Sequence, residues 1–268
     1  MTPIRPPAVA GMFYPADPAQ LQTTVDQLLA AAAAPAPALQ QPKALIVPHA
    51  GYVYSGPTAA RAYAALAPWR ATIRRVVLLG PTHRVAVRGL ALPDCEAFAT
   101  PLGKVRLDAA ARALIEQLPQ VGVSAAAHAQ EHSLEVHLPF LQRALDDFAL
   151  LPLAVGNAPP EAVAEVLERL WGGPETLIVV SSDLSHFLTY AAAQQVDRDT
   201  CSHILDLCTD IRPEQACGAF PVNGLLLAAQ RHGLRPTLLD LCNSGDTAGD
   251  RQRVVGYAAF AFHVSDHG

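Results

Sequence analysis

At 268 residues, 51% of them hydrophobic, the chain is long enough to bury a substantial core without disulfides. A formal charge of -5, with only 19 Lys and Arg thinly spread, offers no basic footprint for a phosphate backbone, so nucleic acid is not an expected partner. The longest stretch of small apolar residues, 28 to 38, is broken by Pro35 and Pro37 and is too short for a bilayer, so no membrane partner is expected. Met1 to Pro7 lacks the continuous apolar core of a secretory signal, and the cysteines number five, without zinc-knuckle spacing. Together these predict reduced thiols and a cytoplasmic protein.

In chain order, Asp17-Pro18 predicts a helix running to about Ala34 with Leu21, Val25, Leu28 and Leu29 on one face, followed by a stiff Ala-Pro connector at 34 to 38. The run beginning at Lys43 predicts a buried strand, and Pro57 to Leu66 an Ala-rich helix with Pro57 at its first position. A second strand over 75 to 80 completes a βαβ unit. Val85 to Leu92 reads as a further strand interrupted by Gly89, and 93 to 106 as an excursion in which Phe98, Pro101 and Gly103 wall a cleft. Helices are predicted over 108 to 118, Ser133 to Leu145 with a kink or restart at Pro139, Pro159 to Leu170, 189 to 208 and Phe220 to His232. Strands are predicted over Phe148 to Val155, Thr176 to Val180, Thr237 to Leu241 and Val254 to Val264. Strands alternating with helices predict an α/β chain, of a length suited to one large domain or two small ones.

Three of these strands end in chemistry-bearing residues. The first runs into His49 within Pro48-His-Ala-Gly-Tyr-Val-Tyr-Ser-Gly56, the second into Pro81-Thr82-His83, and the third into Ser181-Ser182-Asp183-Leu184-Ser185-His186. If they lie parallel in one sheet, His49, His83, Asp183 and His186 leave it along one edge, where open α/β sheets place their ligand sites. Two neutral imidazoles suit Fe, Zn or Cu and call for an anionic third ligand, with Asp183, Glu131, Glu135, Asp246, Cys242 and Cys217 as candidates. Cys217 lies in a glycine-containing turn before a helix, whose N–H groups would favour thiolate. His186, three residues after Asp183, suits proton transfer, with the carboxylate fixing its tautomer. The alternative is a helix-capping Asp beside a packed His. Among the three histidines at 128 to 137, His132 is the one expected to reach the cleft, and Tyr52 and Tyr54 either line a planar ligand or pack as ordinary aromatics.

Taken together, Ala10-Gly-Xaa-Phe-Tyr-Pro15, the His49 and His83 motifs, Glu131-His-Ser-Leu-Glu-Val-His-Leu-Pro139, Ser181 to His186, Cys217-Gly218 and the terminal Gly-Tyr-Ala-Ala resemble the Memo family (mediator of ErbB2-driven cell motility). Its prokaryotic members are called AmmeMemoRadiSam system protein B. The resemblance implies a single α/β domain spanning 1 to 268, its central, largely parallel or mixed sheet flanked by helices, similar to class III, non-haem-iron extradiol dioxygenases (LigB-like proteins), with a metal held by His49, His83 and Cys217, and His186 and Asp183 beside it. Cysteine stands where those dioxygenases complete their triad with a carboxylate. Fe(II) is the implied ion, with Cu or Zn as alternatives. The family name also implies association with AMMECR1-like and radical S-adenosylmethionine proteins.

The leading expectation is therefore a mononuclear non-haem iron oxidoreductase, dioxygenase-like, acting on an unknown small molecule, with His186, Asp183 and His132 catalytic and Tyr52 and Tyr54 binding substrate. Its first alternative is a non-enzymatic metal- or ligand-binding protein with a vestigial dioxygenase-like cleft. The second is a metal-free cysteine hydrolase with Cys217 as nucleophile.

Overall fold

Alternation of buried side chains along the central strands shapes the architecture. In β-structure successive residues face opposite sides, and here both sides are apolar. Ala44, Ile46, Val77, Leu79, Ile178 and Val180 belong to one core cluster, and Leu45, Val47, Val76, Leu78, Leu177 and Val179 to the other. Such strands must be covered on both faces, and burying each side chain stabilises by about 1.5–3 kcal/mol. The computed structural model describes residues 3–32 and 40–264. The expected connector at 34 to 38 lies outside the described residues.

The N-terminal segment contributes strand β1 (Ile4–Arg5) and helix α1 (Pro18–Ala32), whose first turn is capped by the Asp17 carboxylate accepting from Gln20 N at 2.8 Å. Strand β2 (Ala44–Val47) leads to α2 (Tyr52–Ala64), and β3 (Arg75–Pro81) follows. Helix α2 begins five residues earlier than the sequence suggests. Gly51 accepts from the N–H groups of Tyr54 and Ser55, so the helix is already wound before Pro57, which sits inside it.

The region from 85 to 106 departs most from expectation. Only β4 (Leu90–Leu92) forms in its first half, and the excursion is a hairpin of β5 (Ala97–Thr100) and β6 (Gly103–Arg106) that joins β1 in a small separate sheet. Phe98 is buried there under the Arg5 guanidinium rather than walling a cleft. Helix α3 (Ala109–Ile115), β7 (Val121–Val123) and α4 (Ala125–Ala129) come next. The expected helix from Ser133 is split into a short 3-10 turn at Glu135–His137 and α5 (Leu138–Ala144), restarted with Pro139 in its first turn, where its missing N–H costs nothing.

The remaining elements are β8 (Ala149–Val155), α6 (Pro160–Leu170), β9 (Thr176–Ser181), the short β10 (His186–Leu188), α7 (Tyr190–Leu205), α8 (Ala219–Arg231), β11 (Leu234–Asn243) and β12 (Val254–Val264). Of these, β8, α6, β9, α8 and β12 follow the expected bounds closely and α7 ends a turn early, whereas β10 is not among the expected strands and β11 extends beyond the expected 237 to 241 at both ends. The main sheet runs β10-β12-β2-β9-β3-β8-β4-β7, with β11 also on β12. Strands β2, β9, β3 and β8 are mutually parallel, while β12 and β4 flank them antiparallel. The carboxyl ends of β2, β9 and β3 are therefore neighbours. No helix among the described residues is long and apolar enough to cross a membrane.

A buried ion pair anchors the N-terminal segment. Arg5 Nη1 donates to Glu135 Oε2 at 2.6 Å, both side chains being inaccessible, while its other nitrogens donate to the carbonyls of His128 and Glu131. Glu135 also accepts from Ala8 N, Val9 N and the Tyr14 hydroxyl. Removing one partner of a buried pair strands the other. Arg5→Ala is therefore expected to destabilise the protein by about 3–5 kcal/mol, read as a lowered midpoint in denaturant unfolding; a loss under about 1 kcal/mol would mean that the pair is not a structural anchor.

Candidate metal centre

Each strand end delivers its residue two positions beyond the ladder: His49 after β2, His83 after β3 and Asp183 after β9. Two close approaches make this possible. At Gly80, near the end of β3, a Cβ would come within 2.8 Å of Ser133 Oγ and 2.9 Å of Leu134, so only glycine lets the 131 to 134 segment lie against the strand. At Gly218 a Cβ would fall 2.6 Å from Ser181 O, so the turn carrying Cys217 can dock on the exit of β9. Gly218 N donates to Ser182 Oγ and Cys217 N to Asp183 O, fixing that turn.

The result is a cluster of imidazoles. His49, His83 and His132 each offer a ligand atom within 4.8 Å of the others, and these three could hold a metal ion. The rings of His83 and His132 stack at 4.5 Å between centroids, and His49 stands edge-on to both. Phe13 covers the other side of His132 with centroids 4.7 Å apart. Cys217 is adjacent rather than remote, its Sγ 3.4 Å from His49 Nε2.

Hydrogen bonds decide which nitrogens are free. Glu131 receives His83 N at 2.6 Å and His83 Nδ1 at 2.8 Å, and since a carboxylate only accepts, Nδ1 of His83 carries the proton and Nε2 the lone pair. The same carboxylate accepts from His132 N and Ser133 N. His49 Nδ1 lies 2.6 Å from Ser181 Oγ, and His186 Nδ1 donates to Leu184 O at 2.8 Å, leaving its Nε2 open. Imidazoles oriented by an oxygen at Nδ1, as His49 and His83 are, make the donor set a first-row divalent ion requires, so the residues present fit such an ion.

Burial governs the ionisation of the cluster. It pushes His49 well below its ordinary value, helped by the charges that His83, His132, His137 and His186 would carry, and it lowers His132 to about 4. Burial likewise raises Asp183 to about 7, against the opposing hydrogen bond from His49 N. The Cys217 thiol is pushed up by burial and then by the Asp183 charge, which outweigh the N–H groups at the start of α8. Contrary to the expectation of a thiolate favoured by the helix terminus, desolvation and the adjoining Asp183 carboxylate outweigh one helix end, although the residue stays partly accessible.

Other expected residues fall as follows. Asp183 accepts from His49 N at 2.7 Å and does not orient His186, whose tautomer is set by Leu184 O. Glu135, weighed as a ligand, is consumed by Arg5 and Tyr14, and Cys242 on β11 bonds the Thr58 hydroxyl on α2. Tyr52 is buried with its hydroxyl donating to Val136 O, so its polar end is committed within the protein, while Tyr54 on the first turn of α2 remains partly exposed. Sequence reasoning gave no role to Ser181 or Tyr63. A serine at the last position of a buried strand and a tyrosine inside an Ala-rich helix carry no periodic signal of their own.

This α/β sheet with a histidine cluster at its carboxyl edge is the setting in which a family match acquires meaning. The family model described as Memo-like protein matches residues 5–261, and the chain belongs to the Memo family. A MEMO1 family protein from Aquifex aeolicus is 37% identical over 272 residues, covering 97% of this chain and 99% of that protein. The MEMO1 family protein MK0963 from Methanopyrus kandleri is 34% identical, covering 96% and 98%. A crystal structure of the uncharacterized protein JW3007 from Escherichia coli K12 shares the fold, with TM-score 0.53 and 15% identity over 81% of this chain and 98% of that one.

Glu131 makes the cluster sensitive to acid. Burial alone would raise its carboxyl, but hydrogen bonds from His83 and Ser133, and the charge His83 carries once it is protonated, outweigh that and bring it from 4.5 down to about 2. A depressed carboxyl stabilises the fold above its unfolded value, and that contribution is lost as pH falls through the folded one. Wild type is expected to lose stability between pH 4.5 and about 2 more steeply than Glu131→Gln. The difference, measured by unfolding at stepped pH, is on the order of 3 kcal/mol at most. Parallel curves for the two proteins would contradict this account of Glu131.

Proposed function

We propose that the protein is a mononuclear non-haem iron oxidoreductase, dioxygenase-like, acting on a small molecule that enters the cleft over His49, His83 and His132. The observation that carries this reading is the convergence of three imidazole ligand atoms within 4.8 Å, with Nδ1 of both His49 and His83 tied to oxygen. His49 and His83 would hold the ion, joined by Cys217 or His132. Fe(II) bound there would supply redox chemistry toward dioxygen and a Lewis acid for a substrate oxygen.

The chain's own residues account for positioning and proton movement. His186 is oriented by Leu184 O, and burial, against that hydrogen bond, holds it below 6.5. It is therefore neutral at neutral pH, and its open Nε2 can take a proton from a substrate hydroxyl and return it. Phe13, packed on His132, would wall the cleft on that side of the cluster.

A second reading, metal binding or handling without turnover, is favoured by the Cys217 sulfur 3.4 Å from His49 Nε2, because a thiolate in the donor set suits a soft ion held rather than cycled. The metal-free hydrolase would have to use His49, 3.4 Å from the sulfur, as its base instead of the expected His186, and burial with the Asp183 charge pushes the thiol up, away from the nucleophilic thiolate.

Protein reconstituted anaerobically with Fe(II) is expected to bind one equivalent, to lose it in His49→Ala and His83→Ala, and to consume oxygen with a diol or related substrate. His186→Ala should keep the ion and lose turnover by about 10²-fold or more. Tight binding without oxygen uptake across the panel would favour the second reading. Turnover surviving removal of both His49 and His83 would end the metal-dependent one.

A further inference from the structure

Behind His49 lies a chain of polar side chains that the reaction itself does not employ. Ser181 Oγ donates to Ser133 O at 2.6 Å, and since a carbonyl has no proton to give, the single hydroxyl hydrogen of Ser181 is committed there. The two imidazole nitrogens that also reach this oxygen, His49 Nδ1 at 2.6 Å and His137 Nε2 at 2.8 Å, must then each bring their own proton. With Nε2 of a neutral His137 protonated, its Nδ1 is an acceptor, and the Tyr63 hydroxyl at 2.9 Å donates to it. Every hydrogen in the chain is thereby assigned without freedom for either ring to reverse.

We infer that Ser181, His137 and Tyr63 are positioning residues forming a buried tautomer lock, which keeps the proton of His49 on Nδ1 and its Nε2 lone pair facing the centre. This rests on the metal-centre reading proposed above. His49, Tyr63, His137 and Ser181 are all sealed from solvent, at 1%, 0%, 1% and 0% exposure respectively. Tyr63, at the far end, is stacked on Phe140 with centroids 5.2 Å apart in the apolar core between α2 and α5. A path that ends in the core cannot carry protons to water, so the arrangement is a lock and not a conduit. In a site sealed from water the other tautomer of His49 would set the Nδ1 lone pair against a lone pair of Ser181 Oγ, or draw the Ser181 hydrogen to Nδ1 and leave Ser133 O unpaired, a cost that holds the equilibrium to one side.

The logic parallels that at His83, where Glu131 performs the same office. The two devices differ in kind. A carboxylate adds negative charge behind its ring, whereas the Ser181 chain is neutral throughout and directs the lone pair without raising the charge of the site. The lock also joins α2, the 3-10 turn before α5, and β9, so a change on α2 at Tyr63 reaches the cluster through two intervening side chains.

Two measurements test this. Long-range proton–nitrogen NMR on metal-free protein should find His49 as the Nδ1–H and His137 as the Nε2–H tautomer; His49 as Nε2–H overturns the inference outright. Zinc affinity, measured by competition with a chromophoric chelator, should fall about tenfold or more in Ser181→Ala and His137→Leu, with His49 in Ser181→Ala gaining Nε2–H character. His137→Gln, whose amide can still donate to Ser181, should recover most of the affinity that His137→Leu loses. Where Ser181→Ala does not fold, Tyr63→Phe is the milder probe, expected to weaken zinc binding in the same direction. Variants that melt earlier yet bind zinc as wild type does would show a merely structural chain and overturn the lock. If wild type fails to bind zinc, or His83→Ala binds it undiminished, the metal-centre reading falls, and the NMR tautomers still decide the lock on their own.

Discussion

One carboxylate holds the centre together. Glu131 is inaccessible and accepts four hydrogen bonds, from the backbone and ring of His83 and from the N–H groups of His132 and Ser133. Four donors and no acceptors admit only an ionised group, so the carboxyl is charged in spite of its burial. In this one contact the exit loop of β3 is fastened to the segment carrying His132, and two of the three clustered imidazoles are set in place. Without it the parallel sheet would still bring His49 and His83 to one edge, but nothing would bind the loop from β3 to a segment nearly fifty residues further on.

The same short segment organises the rest of the molecule. Four residues after Glu131, Glu135 fastens the N-terminal strand through Arg5, Ala8, Val9 and Tyr14. That places Phe13 against His132 and lets Phe13 O accept from Tyr52 N at the head of α2. His137, two residues on, reaches Ser181 at the end of β9. A helix through this region would have stacked Glu131 and Glu135 on one face. The chain instead turns between them, so each carboxylate meets different donors, and the site and the N-terminal anchor share a scaffold.

What could be read in advance follows from this division. Strands β2, β3, β8 and β9 are short apolar runs covered on both faces, a signal local enough to see in sequence, and their parallel alignment sends His49, His83 and Asp183 to a common edge by topology alone. The start of α2 was illegible because Pro57 is a strong mark of a helix beginning, whereas the actual nucleus is Gly51 accepting from two N–H groups. The hairpin of β5 and β6 was illegible because its partner, β1, is two residues long and over ninety residues away. The pairing of Asp183 with His49 instead of His186 depends on the 2.7 Å approach of a backbone N–H, which no spacing rule encodes.

The ionisation of the cluster bears on which residues complete a donor set. Crowded, dry imidazoles repel each other's protons, so His49 and His132 are held neutral and their lone pairs stand available before any ion arrives. A set drawn from His49, His83 and His132 would accept a dication without releasing a proton from His49 or His132. Cys217 is the opposite case: its thiol is protonated by the same dryness, and joining the set would expel a proton and place a thiolate beside Asp183. That step is unfavourable in the protein alone and becomes favourable only when the ion's own charge reverses the local field, since a cation that stabilises thiolate also stabilises ionised Asp183. The proximity of sulfur to His49 Nε2 thus describes a donor whose participation is conditional on the ion, beside imidazoles whose readiness is not.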